Sequence, residues 1–408
     1  MVKGAESGVL TSVERRLSAE FEAALPAKSP DDGRLAGILR VLAPHSPALR
    51  TAAVTWAKEL IRLEAFDREL YAACLRALAE SDDKRLVAVL ASALKTDEFG
   101  GLTTLSVACF VRDASVGPNI VRAASSSRTL TAFAAEAARL CRGESTGPRL
   151  FSLAPRIKEA HRISLVFDLL IPISARGMSS KTCAGLADAL HVLCGSERHL
   201  GRWLVMAEIA HRGGDERPLR DAIEKTQTGP DSARAGWTLC AWALAPELGG
   251  KGVRPTTELV ARLSHRPSAD KDASFLFRMA DRHLSEARPM LEALVRAKPL
   301  GDELAIRAAG ALMAGYGAPA PAREALEAYK CSSRDSLRAL SLAALWDLPA
   351  QDKTARVALA EEASLLVDAD DLVAQTWSTL VLIASRAKLS QPVMSDVNFR
   401  RLQLGWSE

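Results

Sequence analysis

Residues 49–63 read LRTAAVTWAKELIRL, and this stretch decides the fold class. Ala53, Trp56, Ala57, Leu60 and Ile61 recur at i, i+3, i+4, i+7 and i+8, which is one apolar stripe along a helix. Arg50, Lys58 and Arg62 take the opposite side. The same periodicity runs through Leu10–Leu25, Leu35–Ala43, Arg68–Ala79 and Arg85–Leu94, each followed by a short break. No segment sustains the period of two that a half-buried strand requires. The chain therefore reads as all-α.

Composition agrees. Hydrophobic residues make up 48% and charged residues 25%, so there is enough apolar material for a large core. Aromatics are only 5%, and the apolar residues are dominated by Ala and Leu, which favour helices, rather than by residues that suit a pleated sheet. The 39 Arg outnumber the 14 Lys, and there are two Asn, Asn119 and Asn398. The seven Cys (Cys74, Cys109, Cys141, Cys183, Cys194, Cys240 and Cys331) are odd in number, widely spread and free of any CxxC pair. That usage predicts reduced, buried thiols and a cytoplasmic setting. The start of the chain carries Lys3 and Glu6 and no apolar leader core. The best apolar run, Leu165–Ser174, is broken by Asp168 and Pro172 and is far shorter than a membrane span, so no membrane partner is expected.

The breaks carry start and stop chemistry. Ser81-Asp82-Asp83 precedes Arg85–Leu94 and Gly100-Gly101 follows it; Asp231-Ser232, Asp335-Ser336 and Asp370-Asp371 precede further apolar runs. Asp and Ser accept hydrogen bonds from the free N–H groups of a first helical turn, and Gly tolerates the left-handed backbone that ends one. These starts recur at Asp231, Asp270, Asp302, Asp335 and Asp370, in steps of 39, 32, 33 and 35 residues, and Ser46 and Asp82 lie 36 apart. A period in the thirties with two helices per period is the mark of a helical repeat array, about eleven hairpins over this length.

Asp335 with Leu337-Arg338, Ala344 and Leu345, and Ser46-Pro47 with Leu49-Arg50 and Ala53, resemble the second helix of HEAT repeats. Asp302 with Ile306-Arg307 and Asp231 with Arg234 match more loosely, and residues 97–200 match poorly. The resemblance is to a fold class. It implies a right-handed α-solenoid of stacked antiparallel hairpins, one continuous array over 1–390 followed by an irregular tail over 391–408. It also implies that Arg50, Arg307 and Arg338 ladder between neighbouring repeats.

Catalytic patterns are sparse. Gly143-Glu144-Ser145-Thr146-Gly147 matches GxSxG but follows a helical segment, where a nucleophile elbow needs a strand. Ser81–Lys84 and Ser268–Lys271 match SxxK without its partner signatures, and capping is the simpler role. Cys183, His191, Cys194 and His199 are of metal-ligand type, but Cys183 and His191 are eight residues apart, about 12 Å along a helix, too far to share an ion. Gly249-Gly250-Lys251-Gly252 lacks the flanking residues of a phosphate-binding loop. The acid pairs Asp370-Asp371 and Glu361-Glu362 read as caps and solvated faces. The reading expects no enzyme, no cofactor and no metal.

One region stands above this background. Arg198, His199, Arg202, Trp203 and Arg212 are followed by Trp237 and Trp242, and Arg with Trp is the composition of binding hot spots. Net charge is +4 overall and +5 over residues 101–200, a weak field for a dedicated nucleic-acid binder. The expected function is a protein-interaction scaffold that holds another protein along a concave helical surface. The alternative is a nucleic-acid-binding module of the kind seen in HEAT-like DNA glycosylases, using the basic middle region.

Overall fold

A computed structural model of the chain describes residues 3–26, 32–66, 68–94, 103–104, 107, 139, 180–196, 200–229, 237–238, 240–241, 244–245, 287–298, 301–317, 320–348, 352–387, 389, 392–399 and 401–402. Among the described residues every regular element is helical. In chain order these are α1 (Lys3–Ala24), α2 (Asp32–Leu42), a 3-10 turn (Ala43–His45), α3 (Pro47–Arg62), α4 (Glu69–Glu80) and α5 (Leu86–Ala93). Then come α6 (Ser180–Ser196), α7 (Leu200–Arg212), α8 (Arg217–Thr228), α9 (Ala287–Ala297) and α10 (Asp302–Tyr316). The last are α11 (Ala320–Lys330), α12 (Asp335–Trp346), α13 (Lys353–Ser364), α14 (Leu372–Arg386) and α15 (Asp396–Phe399). None of the described helices is long and apolar enough to cross a membrane. The chain divides into two compact units, one joining residues 1–49 to 246–407 and the other formed by 50–245.

In the first unit, α9 to α14 pack as consecutive hairpins, and α10 also meets α12 while α12 meets α14. α10, α12 and α14 touch in succession and are the more buried, inner helices, while α11 and α13 are the less buried, outer ones. The sequence explains the difference. α11 buries only Ala322, Leu326 and Tyr329, and α13 only Leu359 and Ala363, single stripes against one neighbouring layer. α10 is buried continuously from Leu304 to Met313 and α14 from Leu372 to Leu382. Both buried runs are mostly apolar but also include Arg307 in α10 and Gln375, Thr376, Ser378 and Thr379 in α14, so these helices are covered by neighbours on every side.

The chain's own ends supply much of that cover. α1 and α2 pack on α14. The Ser12 hydroxyl donates to Asp368 at 2.8 Å, and Arg16 donates to the carbonyls of Ala369 (2.9 Å) and Asp370. Arg34 pairs with Asp371 at 2.8 Å. The N-terminal hairpin thus sits beside the last hairpin of the stack, a contact that sequence periodicity does not encode.

The C-terminal segment covers α10 and α12. The tail expected to be irregular carries the one-turn α15, and Val393, Met394, Phe399 and Leu402 are buried. The Asp347 carboxylate accepts the backbone N–H groups of Val393 at 2.8 Å and Met394 at 2.7 Å. The Met394 methyl lies only 2.6 Å from where a Cβ on Gly310 would be. On α2, a Cβ on Gly37 would stand 1.8 Å from the carbonyl oxygen of Arg401. One short strap therefore ties α2 to α10 and α12.

Burial pushes the Asp347 carboxyl up to about 6, against the pull of the two backbone N–H groups and the nearby Arg307 and Arg356. Its folded pKa lies above the ordinary value of 3.8, so the folded chain holds that proton more tightly than the unfolded one. The resulting stabilisation is full below about pH 4 and is lost as pH rises through about 6, at most about 3 kcal/mol for a shift of this size. Asp347→Asn is expected to remove that component. In denaturant unfolding, the stability difference between wild type and variant should change between pH 4 and pH 7; a constant difference would contradict the assignment.

Several expected starts are caps. Ser46 accepts the N–H of Leu49 (2.9 Å) and Asp371 that of Val373 (2.8 Å); Asp352, which the sequence reading did not single out, accepts that of Ala355 (2.7 Å). Asp302 and Asp335 are instead the first helical residues of α10 and α12, where an acid acts on the helix dipole. Ser81 closes α4 by donating to the Ala77 carbonyl at 2.7 Å, and the role expected of it falls to Asp83, which accepts the N–H of Arg85 at 3.0 Å. Arg50 bridges to Asp83 at 3.7 Å, as a ladder would, whereas Arg338 pairs with Asp335 of its own helix at 3.2 Å. Asp231 and Asp270 lie outside the described residues.

In the second unit, Ala53, Trp56, Ala57, Leu60 and Ile61 of α3 are all buried, as their spacing requires. Phe66 stands edge-on to Tyr71 at 5.4 Å, and the Tyr71 hydroxyl shares a 2.6 Å hydrogen bond with Thr104. α6, α7 and α8 pack as a second helical group. At the close of α7, a Cβ on Gly213 would fall 2.5 Å from the backbone nitrogen of Ala184, so α6 and α7 approach to backbone contact there.

Candidate interaction surfaces

The residues singled out between 198 and 242 separate into core and surface. Trp203 is fully buried on α7, so it supports the surface and does not form part of it. Its ring stands edge-on to Trp237, with centroids 4.9 Å apart. Trp237 is half-buried, and the Lys225 ammonium of α8 lies 4.1 Å from its ring centroid. Arg212 is exposed at the end of α7. Arg202 lies on α7, but its side chain is outside the described residues, as are Arg198, His199 and Trp242 altogether.

The cations around α8 are largely spoken for. Arg217 binds Asp215 at 2.9 Å and Asp188 at 2.7 Å, and these hydrogen bonds hold its pKa above the ordinary arginine value. Arg220 pairs with Glu216 at 3.4 Å, and His191 lies 3.7 Å from Asp221. A face whose cations are matched by its own acids has little positive field to offer phosphates.

Of the metal-type residues, Cys183, His191 and Cys194 are described and His199 is not. Cys183 and Cys194 are buried in α6, the Cys194 thiol faces the Trp203 carbonyl at 3.9 Å, and burial pushes the Cys183 thiol up. Among the described residues no three His, Cys, Asp or Glu side chains gather as a metal set. Four of the five described cysteines are buried and unbridged; Cys331 is exposed, contrary to the expectation for it. The GxSxG stretch, the second SxxK stretch and Gly249–Gly252 lie outside the described residues.

A second surface was not singled out by the sequence. A groove of about 620 Å³ lies between α13 and the C-terminal half of α14 and is lined in part by Trp346 of α12. Its apolar lining comes from Trp346, Val357, Ala360, Leu382 and Ala384, and Val357 is 51% exposed. Lys353, Arg356 and Arg386 supply its cations, and Glu361 is the acid lining it. The Arg356 guanidinium lies 5.6 Å from the Trp346 ring centroid, a cation–π arrangement. These residues come from three helices and share no sequence motif, so only the packing of α12, α13 and α14 brings them together.

Comparison with known proteins finds no matching family model, no matching curated protein and no matching solved structure.

Proposed function

We propose that the chain is a protein-interaction scaffold of HEAT-like hairpins stacked as an α-solenoid, and that it engages its partner on outer-row and hairpin-end surfaces. The observation that carries this reading is the groove lined by Trp346, Val357 and Arg356. Trp and Arg are the residues most enriched at binding hot spots, and here they sit pre-stacked. A concave inner face suits the first unit less, because α1, α2 and the 392–402 strap already pack on its inner row. The nucleic-acid reading draws on Lys225 over Trp237, but that face neutralises its own cations.

The test is affinity capture with cross-linking from the source cell, at 100 and 500 mM salt as the probe conditions. A partner protein retained at high salt by wild type and lost with Val357→Glu supports the reading. Loss with Arg198→Glu and Arg202→Glu instead moves the interface to the α7–α8 side. Capture of nucleic acid alone, stripped as salt rises, contradicts it, since phosphate-driven binding falls steeply with log salt.

A further inference from the structure

We infer that the α13–α14 groove takes a short acidic peptide segment carrying one large apolar anchor residue, an inference that rests on the scaffold reading. Volume sets the first term. About 620 Å³ falls within the range of ligand pockets, room for an aromatic or branched aliphatic side chain and its neighbours, and no large part of a folded domain. The apolar lining of Trp346, Val357, Ala360, Leu382 and Ala384 supplies the anchor's pocket.

Charge sets the second. Lys353, Arg356 and Arg386 line the groove against the one acid, Glu361. The nearby acids are turned to other work. Asp352 caps α13 through the N–H of Ala355 at 2.7 Å, and Glu362 is held by Lys330 of α11 at 3.2 Å. Lys353 is the first residue of α13, so the positive end of that helix dipole adds to its ammonium. Arg356 lies against Trp346, which orients its guanidinium beside the anchor pocket and lets its planar fork meet a carboxylate. An uncharged segment would give Lys353 and Arg356 no counter-charge from the ligand, and a basic one would be repelled.

The experiment is selection from a displayed library of random 12-residue peptides against the full-length chain, followed by fluorescence polarisation with the enriched peptides. Enriched sequences are expected to carry at least two Asp or Glu flanking a Trp, Phe, Leu or Ile. Their affinity should fall at least tenfold with Lys353→Glu and at least tenfold with Val357→Glu. Lys353→Glu places an acid at a helix N-terminus, where it favours the helix, and Val357 is exposed, so neither loss can be assigned to unfolding. Enrichment of basic or uncharged peptides, equal binding to a single-stranded oligonucleotide, binding unmoved by the two variants, or no enrichment at all would overturn the inference. If a salt-resistant partner is still captured in that case, the scaffold reading stands and only this groove is withdrawn.

Discussion

Gly37→Ala is expected to destabilise the protein by about 3 kcal/mol and to release the C-terminal strap. In an open helix position, Ala is the better residue by about 1 kcal/mol, so the same change would stabilise. Here the added Cβ would stand 1.8 Å from the Arg401 carbonyl oxygen and 2.8 Å from its carbonyl carbon. Those atoms are backbone, and α2 is buried continuously from Leu35 to Leu42, so neither side can step back cheaply. If the strap leaves, Val393, Met394, Phe399 and Leu402 lose their cover and Asp347 loses its two N–H donors. Equilibrium denaturation with hydrogen exchange over 392–402 reads the outcome. Unchanged or increased stability would show that α2 and the strap are not in contact.

The second large effect is expected in the other unit. Trp203→Ala should cost about 3–5 kcal/mol, the range for emptying a large buried aromatic site. Trp203 is fully buried, and its loss removes the edge-on partner of Trp237, so Lys225 and Trp237 should lose their arrangement too. Trp203→Phe should cost much less. The indole N–H has no acceptor among the described residues, and a buried unpaired donor carries a penalty of about 1–3 kcal/mol that phenylalanine lacks. Chemical denaturation of the two variants, followed by far-ultraviolet circular dichroism, checks this. A cost below about 1 kcal/mol for alanine would place Trp203 outside the core.

The helices were legible because their signal is local. The stripe within 49–63 marks α3, and the runs around it mark α1, α2, α4 and α5 to within a few residues, except that α1 begins at Lys3, seven residues before Leu10. The starts of α10 and α14 were legible at Asp302 and Asp370-Asp371, but not their burial on every side, because Arg307, Gln375, Thr376, Ser378 and Thr379 interrupt the apolar pattern there. The cover for those helices was not legible. Gly37 and Gly310 look like weak points in helices until the backbone that approaches them is known. Met394 and Phe399 look like stray apolar residues in a tail until Asp347 is seen holding the strap. The surface residues divided the same way. Trp203 and Trp237 carry the same composition signal, and only packing shows that one is core and the other half-open. The groove between α13 and α14 gave no signal, because Trp346, Arg356 and Leu382 are spaced too widely to form a motif.

The N-terminal hairpin lies against the last hairpin of the stack. The direct test of that contact pairs Ser12→Cys on α1 with Asp368→Cys before α14, positions joined by a 2.8 Å hydrogen bond, with the exposed Cys331 changed to Ser. Treatment with a short bis-maleimide should give an intramolecular bridge in monomeric protein, in a yield independent of protein concentration. Bridges found only between molecules, or none at all, would contradict the account.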